Sequence, residues 1–152
     1  MQLKKIARVG PTNYFLRPDG IVYTESESPS PLTVEIMIEN FEFIKQLALE
    51  KGEAIRMLTD FNAAQKVDKE CRAYIKSPES QVYDDYIVGT ALLSEKAIAR
   101  MIGNFILGLR GTGKEEQQHV KLFQSEEKAA QWLLQLPDKP LTAPQDETNR
   151  PK

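Results

Sequence analysis

The sequence predicts an α/β fold, a sandwich of helices on a mostly parallel sheet with an antiparallel strand at one edge. Three observations carry this expectation. Hydrophobic spacing switches repeatedly between the two-residue repeat of strands and the 3.6-residue repeat of helices. Each helical stretch opens on a residue suited to cap it: Thr33, Asp68, Ser94 and Ser125. The stretches also alternate, in the order β-β-α-β-α-β-α-β-α, after an initial hairpin.

The elements follow in order. Tyr14-Phe15-Leu16, Pro18-Asp19-Gly20 and Ile21-Val22-Tyr23 read as a β-hairpin whose turn is set by proline and glycine. Ser28-Pro29-Ser30-Pro31 breaks the chain. From Thr33, apolar residues at Val34, Met37, Ile38, Phe41, Ile44 and Ala48 line one face of a long helix, which Gly52 ends. Ala54–Thr59 suits a buried strand. Asp68 caps a second helix with Cys71, Tyr74 and Ile75 inward, and Ser77-Pro78 stops it. Tyr86–Leu93 is the clearest strand. Ser94 opens a third helix in which Ala97, Ile98, Met101, Ile102, Phe105, Ile106 and Leu109 recur at helical spacing. A loop with Gly111 and Gly113 leads to a strand over His119–Phe123, and Ser125 caps a last helix carrying Ala129, Trp132, Leu133 and Leu136.

Composition narrows the function classes. The 152 residues are 41% apolar and 28% charged, which excludes a collagen, a fully disordered chain and a membrane-spanning protein. Twenty basic against twenty-two acidic side chains give a net charge of −2, so no cationic excess serves nucleic-acid binding. The lone Cys71 forms no internal disulfide, which fits a reducing, cytoplasmic setting. Residues 1–12 read as an N-terminal arm, with Lys4, Lys5 and Arg8 but no apolar run of a secretory signal. Four of the nine prolines fall in residues 137–152, whose polar makeup reads as a disordered tail. Residues 13–136 are left as one domain.

Motifs that suggest chemistry have plainer readings. Gly108–Lys114 spells the G-x-x-x-x-G-K of a phosphate loop, yet a helix precedes it and a strand follows, the reverse of what the mechanism needs. Glu115 also stands where a hydroxyl should meet magnesium. His119 is the sole histidine and offers little choice of general base, and one His with one Cys makes no zinc site. Cys71 reads as a small core hydrophobe; a thiolate near a helix N-terminus is the sharper alternative, opposed by the charges of Asp68 and Glu70. Asp84-Asp85 reads as a solvated loop, and Glu35, Glu39 and Glu42 as the polar side of the first helix. The loop Asp60-Phe61-Asn62 follows a buried strand. It leads to Asp68 and Lys69 at the carboxyl edge of the sheet, where α/β sites gather, with Ser94 and Ser125 nearby.

The order of elements, and Leu58-Thr59-Asp60 followed by Asp68, resemble the STAS family, which includes bacterial anti-sigma factor antagonists. The likeness covers residues 13–136 and is strongest to small, stand-alone, uncharacterised STAS-like or Sec14-like bacterial proteins. Arg100–Phe105 and Lys121–Glu127 look like stretches recurring in that group. The resemblance implies a two-layer STAS-like sandwich. In the antagonists an Asp ends the strand, and an Asp-Ser-x-Gly motif carries the phosphorylated serine at a helix start. Here Asp60 and Asp68 match, whereas Lys69 stands at the serine position and Cys71 at the glycine, so the phosphorylation switch is not expected.

Two functional readings follow. The first is a non-enzymatic cytoplasmic interaction module that meets an unidentified protein partner through Asp60, Asn62, Asp68, Lys69 and Arg72, with no cofactor, metal or nucleic acid. The second, suggested by the Sec14-like resemblance, is a binder of a lipid or other apolar molecule. The third helix, apolar on nearly two faces, would serve that role or the contact of a homodimer. An enzyme is not expected, because no base, nucleophile and metal set converges in the sequence.

Overall fold

The computed structural model of the chain describes residues 2–26, 30–60, 64–67, 69–94 and 120–141. Its elements are β1 (Lys4–Val9), β2 (Thr12–Leu16), β3 (Val22–Ser26), β4 (Ser30–Leu32), α1 (Val34–Lys51), β5 (Ile55–Asp60) and β6 (Ala64–Val67). There follow α2 (Lys69–Lys76), α3 (Pro78–Gln81), a 3-10 turn (Val82–Tyr86), β7 (Ile87–Leu93), β8 (Val120–Phe123) and α4 (Glu126–Gln135). Six strands form one sheet in the order β1-β2-β3-β5-β7-β8, and β4 pairs with β6 in a separate two-stranded ladder. β1, β2 and β3 run antiparallel; β3-β5, β5-β7 and β7-β8 are parallel. The α/β class and the antiparallel edge are those the sequence predicts.

The hairpin closes as expected. Gly20, at φ +91°, donates to the Arg17 carbonyl at 2.9 Å, while the Asp19 carboxylate accepts from the Ile21 amide at 3.2 Å. The first helix begins where its cap does. Thr33 Oγ1 accepts from the Ile36 amide at 3.3 Å, and Gly52, left-handed at φ +75°, returns its N–H to the Ala48 carbonyl at 2.8 Å. Ser125 likewise accepts from the Lys128 amide at 3.3 Å and opens α4.

Side chains alternate across the central strands and build two cores. Val22 and Met57 join Tyr14, Ile44, Ala48, Ile55, Tyr86 and Ile87 on the face covered by α1. Ile21, Tyr23, Leu58, Ala91 and Leu93 pack with Ala129, Ala130 and Leu133 of α4 on the other. Each fully buried aliphatic side chain, such as Leu58 or Leu133, contributes roughly 1.5–3 kcal/mol relative to exposure. The sandwich therefore has helical cover on both faces of the sheet, from α1 and α4. Parallel strands that are apolar on both sides require that cover.

Three further differences stand out. Lys4–Val9, expected within an arm over 1–12, is the edge strand β1, with Lys4, Lys5 and Arg8 outward and Ile6, Ala7 and Val9 half-buried. A charged edge strand carries little hydrophobic signal. Ser30–Leu32, inside the proline-serine break, forms a strand because a short edge ladder tolerates proline. Residues 137–141, expected in the tail over 137–152, lie against the domain, since Asp138 and Lys139 are hydrogen-bonded and Leu141 packs on the α1-side core. The third helix and the glycine loop fall in 95–119, outside the described residues.

Candidate functional site

The carboxyl ends of β3 and β5 bring two carboxylates together. Glu25 and Asp60 are partners in the parallel register, each two residues beyond a side chain of the α4-side core, Tyr23 and Leu58. The Tyr23 hydroxyl lies 3.3 Å from Glu25 Oε1 and 3.3 Å from Asp60 Oδ2. One phenol proton serves one carboxylate at a time, so Tyr23 is a donor common to both. Like charges directly opposite on neighbouring strands repel, and the shared phenol offsets part of that cost. Burial pushes the Tyr23 phenol well above its ordinary range, and the charges of Asp60 and Glu25, the hydrogen bond to Asp60 and the more distant Glu126 raise it further. Tyr23 therefore stays a donor at any physiological pH. On the opposite face of the same two strands, Thr24 and Thr59 are joined hydroxyl to hydroxyl at 3.0 Å.

A buried arginine fixes the neighbouring helix start. Arg17, 5% exposed, grips Asp19 with two nitrogens at 3.1 and 2.9 Å and reaches Glu126 at 2.6 Å. This ties the hairpin turn to the first turn of α4, where the carboxylate of Glu126 also faces the positive end of the helix dipole. Burial by itself would raise the Asp19 carboxyl. The hydrogen bonds from Arg17 and from the Ile21 amide, with the charge of Arg17, outweigh it and hold Asp19 below its ordinary value.

The residues singled out in the sequence divide as follows. Asp60 sits at the carboxyl edge, half-buried. Lys69 and Glu70 are exposed in the first turn of α2, and Arg72 lies on the same helix. Asn62 and Asp68 lie outside the described residues, as do Gly108–Lys114 and His119. Cys71 is fully buried and its thiol donates to the Met37 thioether at 2.9 Å, so it joins α2 to α1 as a core residue. Ser94 is buried and its amide donates to the Phe123 carbonyl at 2.9 Å. Asp84, half-buried in the 3-10 turn, lends its carbonyl to Lys139 at 2.7 Å. Glu42 accepts from the Tyr83 hydroxyl, which stacks on Phe41. Among the described residues no three His, Cys, Asp or Glu side chains are disposed to hold a metal ion. Tyr23 and Glu25 were missed in the sequence. The available signal was Tyr-x-Glu at the end of a strand, two positions apart and hence on one face.

Comparison with known proteins places the chain. Residues 14–137 match the family described as Domain of unknown function (DUF7793). The chain belongs to that family. The DUF7793 match takes in the buried residues of both cores and α4, while β1 lies before it. A crystal structure of an uncharacterised protein of the DUF3478 family from Shewanella loihica, described as having a SpoIIAA-like fold, superposes with a TM-score of 0.52. The match covers 88% of this chain and 96% of that one at 13% identity, so this DUF7793 member has a SpoIIAA-like, STAS-type fold. No curated protein matches the chain. Among the described residues no helix is long and apolar enough to cross a membrane.

Proposed function

We propose that this DUF7793 protein is a non-enzymatic, cytoplasmic interaction module that meets a protein partner at the carboxyl edge of its sheet. The observation that carries the reading is the pairing of Glu25 and Asp60 on one buried phenol at the ends of adjoining parallel strands. Two carboxylates in fixed relation suit a guanidinium or ammonium side chain of a partner. Lys69, exposed at the start of α2, is the cation of the proposed surface, and charge of both signs would orient docking. Parallel α/β sheets collect their sites at this edge, which supports the choice of surface.

The test is native mass spectrometry of the protein purified gently from its own host, beside the Asp60→Asn and Lys69→Glu double variant. Asn at position 60 still accepts from Tyr23, so the edge keeps its hydrogen bond while losing charge. A stoichiometric protein partner present on the native chain and lost from the variant is the expected result. A partner retained by the variant removes this edge from the interface. A small apolar mass held in place of a protein replaces the reading with that of a ligand carrier.

A further inference from the structure

The opposite end of the sheet carries a second, independent feature. After α4 the chain turns at Pro137 and crosses the amino ends of β5 and β7 as a strap over residues 137–141. Arg56 of β5 meets it with a divided guanidinium: Nε donates to the Leu133 carbonyl at 2.8 Å, while Nη2 reaches the Leu136 carbonyl at 2.7 Å and Asp138 at 3.0 Å. The bonds to the two carbonyls hold the end of α4; the bond to Asp138 holds the strap. Lys139 then donates to the Asp84 carbonyl at 2.7 Å, and Leu141 packs on the α1-side core. Between strap and sheet lies an open cavity of about 220 Å³, bordered by Gly52, Glu53, Ala54 and Val88 and by Asp138, Lys139 and Pro140 of the strap.

The strap is weakly held for something that covers buried strand ends. The Asp138 side chain is 92% exposed, and an ion pair so wetted adds little. Lys139 and Leu141 are only half-buried. Its release leaves α4 anchored through Leu133 and Leu136, so opening is local rather than global. The seat left behind has a defined chemistry. It presents a guanidinium at Arg56, a carbonyl acceptor at Asp84 and a shallow surface of Ala54 and Val88 flanked by Glu53.

We propose that residues 137–141 are a releasable strap occupying, in cis, a seat for an extended peptide at the amino edge of the sheet. The segment it fits carries a carboxylate, then an ammonium, then an aliphatic side chain, the order in which the strap itself presents Asp138, Lys139 and Leu141. The strap acts as an internal competitor, and a partner segment binds when it displaces the strap. This surface lies at the far end of the strands from Glu25 and Asp60, so its fate is separate from that of the interaction edge.

Hydrogen-exchange mass spectrometry on the full chain tests it. In the variant Asp138→Asn, Lys139→Gln, Leu141→Ser, exchange over residues 52–55 and 86–89 is expected to rise about tenfold while α1 and the β2-β3 hairpin hold. A synthetic peptide of residues 136–141, added in excess, is expected to restore protection, and a scrambled peptide of equal composition to have no effect. The milder Asp138→Asn variant should show the same change in smaller measure, and it remains readable if the triple variant folds poorly. Unchanged exchange in both variants, or restoration by neither or both peptides, overturns the proposal.

Discussion

Arg17 shows how much a single side chain can organise. It is buried, and its charge is met by Asp19 two residues away and by Glu126 in a different layer. Arg17→Met should cost about 2 kcal/mol in urea unfolding at neutral pH, discounted from a fully buried pair because both carboxylates reach solvent. Asp19, lowered in the folded state, contributes stability that is complete above its unfolded value of about 3.9 and is lost as pH falls through its folded value. The stability gap between wild type and Asp19→Asn should therefore narrow on acidification below about pH 4, and a constant gap would refute the assignment. Phenols give the opposite sign. Burial raises Tyr14, burial with the Asp60 and Glu25 charges raises Tyr23, and burial with the Glu42 hydrogen bond raises Tyr83. These groups stabilise the fold fully below about pH 10, where the unfolded chain starts to ionise them, and lose that contribution as pH climbs further. Tyr23→Phe should consequently lose less stability than wild type between about pH 9 and 12, followed by tyrosinate absorbance alongside circular dichroism. None of this was legible in the sequence beyond the turn itself. Arg17 and Glu126 stand 109 residues apart, and no local pattern joins them.

At the scale of elements, legibility followed the range of the forces. The ends of α1 were readable because its caps are local: Thr33 bonds three residues on and Gly52 four residues back. The inner face of α4 was readable for a related reason, since helical spacing alone turns Ala129 and Leu133 inward together. Adjacent residues test that face. Leu133 is fully buried and Leu134 is 49% exposed, so Leu133→Ala should cost about 2–5 kcal/mol and Leu134→Ala within about 0.5 kcal/mol, measured by the same denaturant titration. Equal costs would mean that α4 is rotated on the sheet. β1, β4 and β6 were not legible, because their pairing is supplied by other strands. Lys4–Val9 alternates poorly across a bulge between Lys5 and Ala7, and Ser30–Leu32 contains a proline. The candidate edge shows the same division: Asp60 was found from its place after a buried strand, whereas Glu25 became its neighbour only through the β3-β5 register.

For the whole molecule, the question is whether two cores on opposite faces make one cooperative unit. β3 sends Val22 to one face and Ile21 and Tyr23 to the other, and β5 sends Met57 and Leu58 apart in the same way. A strand cannot leave the sheet without uncovering both cores, so loss of either face removes the support of the other. Arg56 strengthens the coupling, since a β5 side chain holds the last carbonyls of α4. The single tryptophan makes the coupling measurable. Trp132 lies on α4 against Phe123, with ring centroids 5.5 Å apart, and reports the α4 face. Helical circular dichroism adds the other face, where the 18-residue α1 is the longest helix among the described residues. Urea titrations followed by the two signals should give coincident midpoints, and Ile44→Ala, placed in the α1-side core, should lower the Trp132 midpoint as much as the dichroic one. A Trp132 transition that stayed put while the dichroic one moved would show that the faces unfold separately. The shared strands would then be a scaffold for two independent layers, and a partner at the Asp60 edge would have to stabilise one layer without the other.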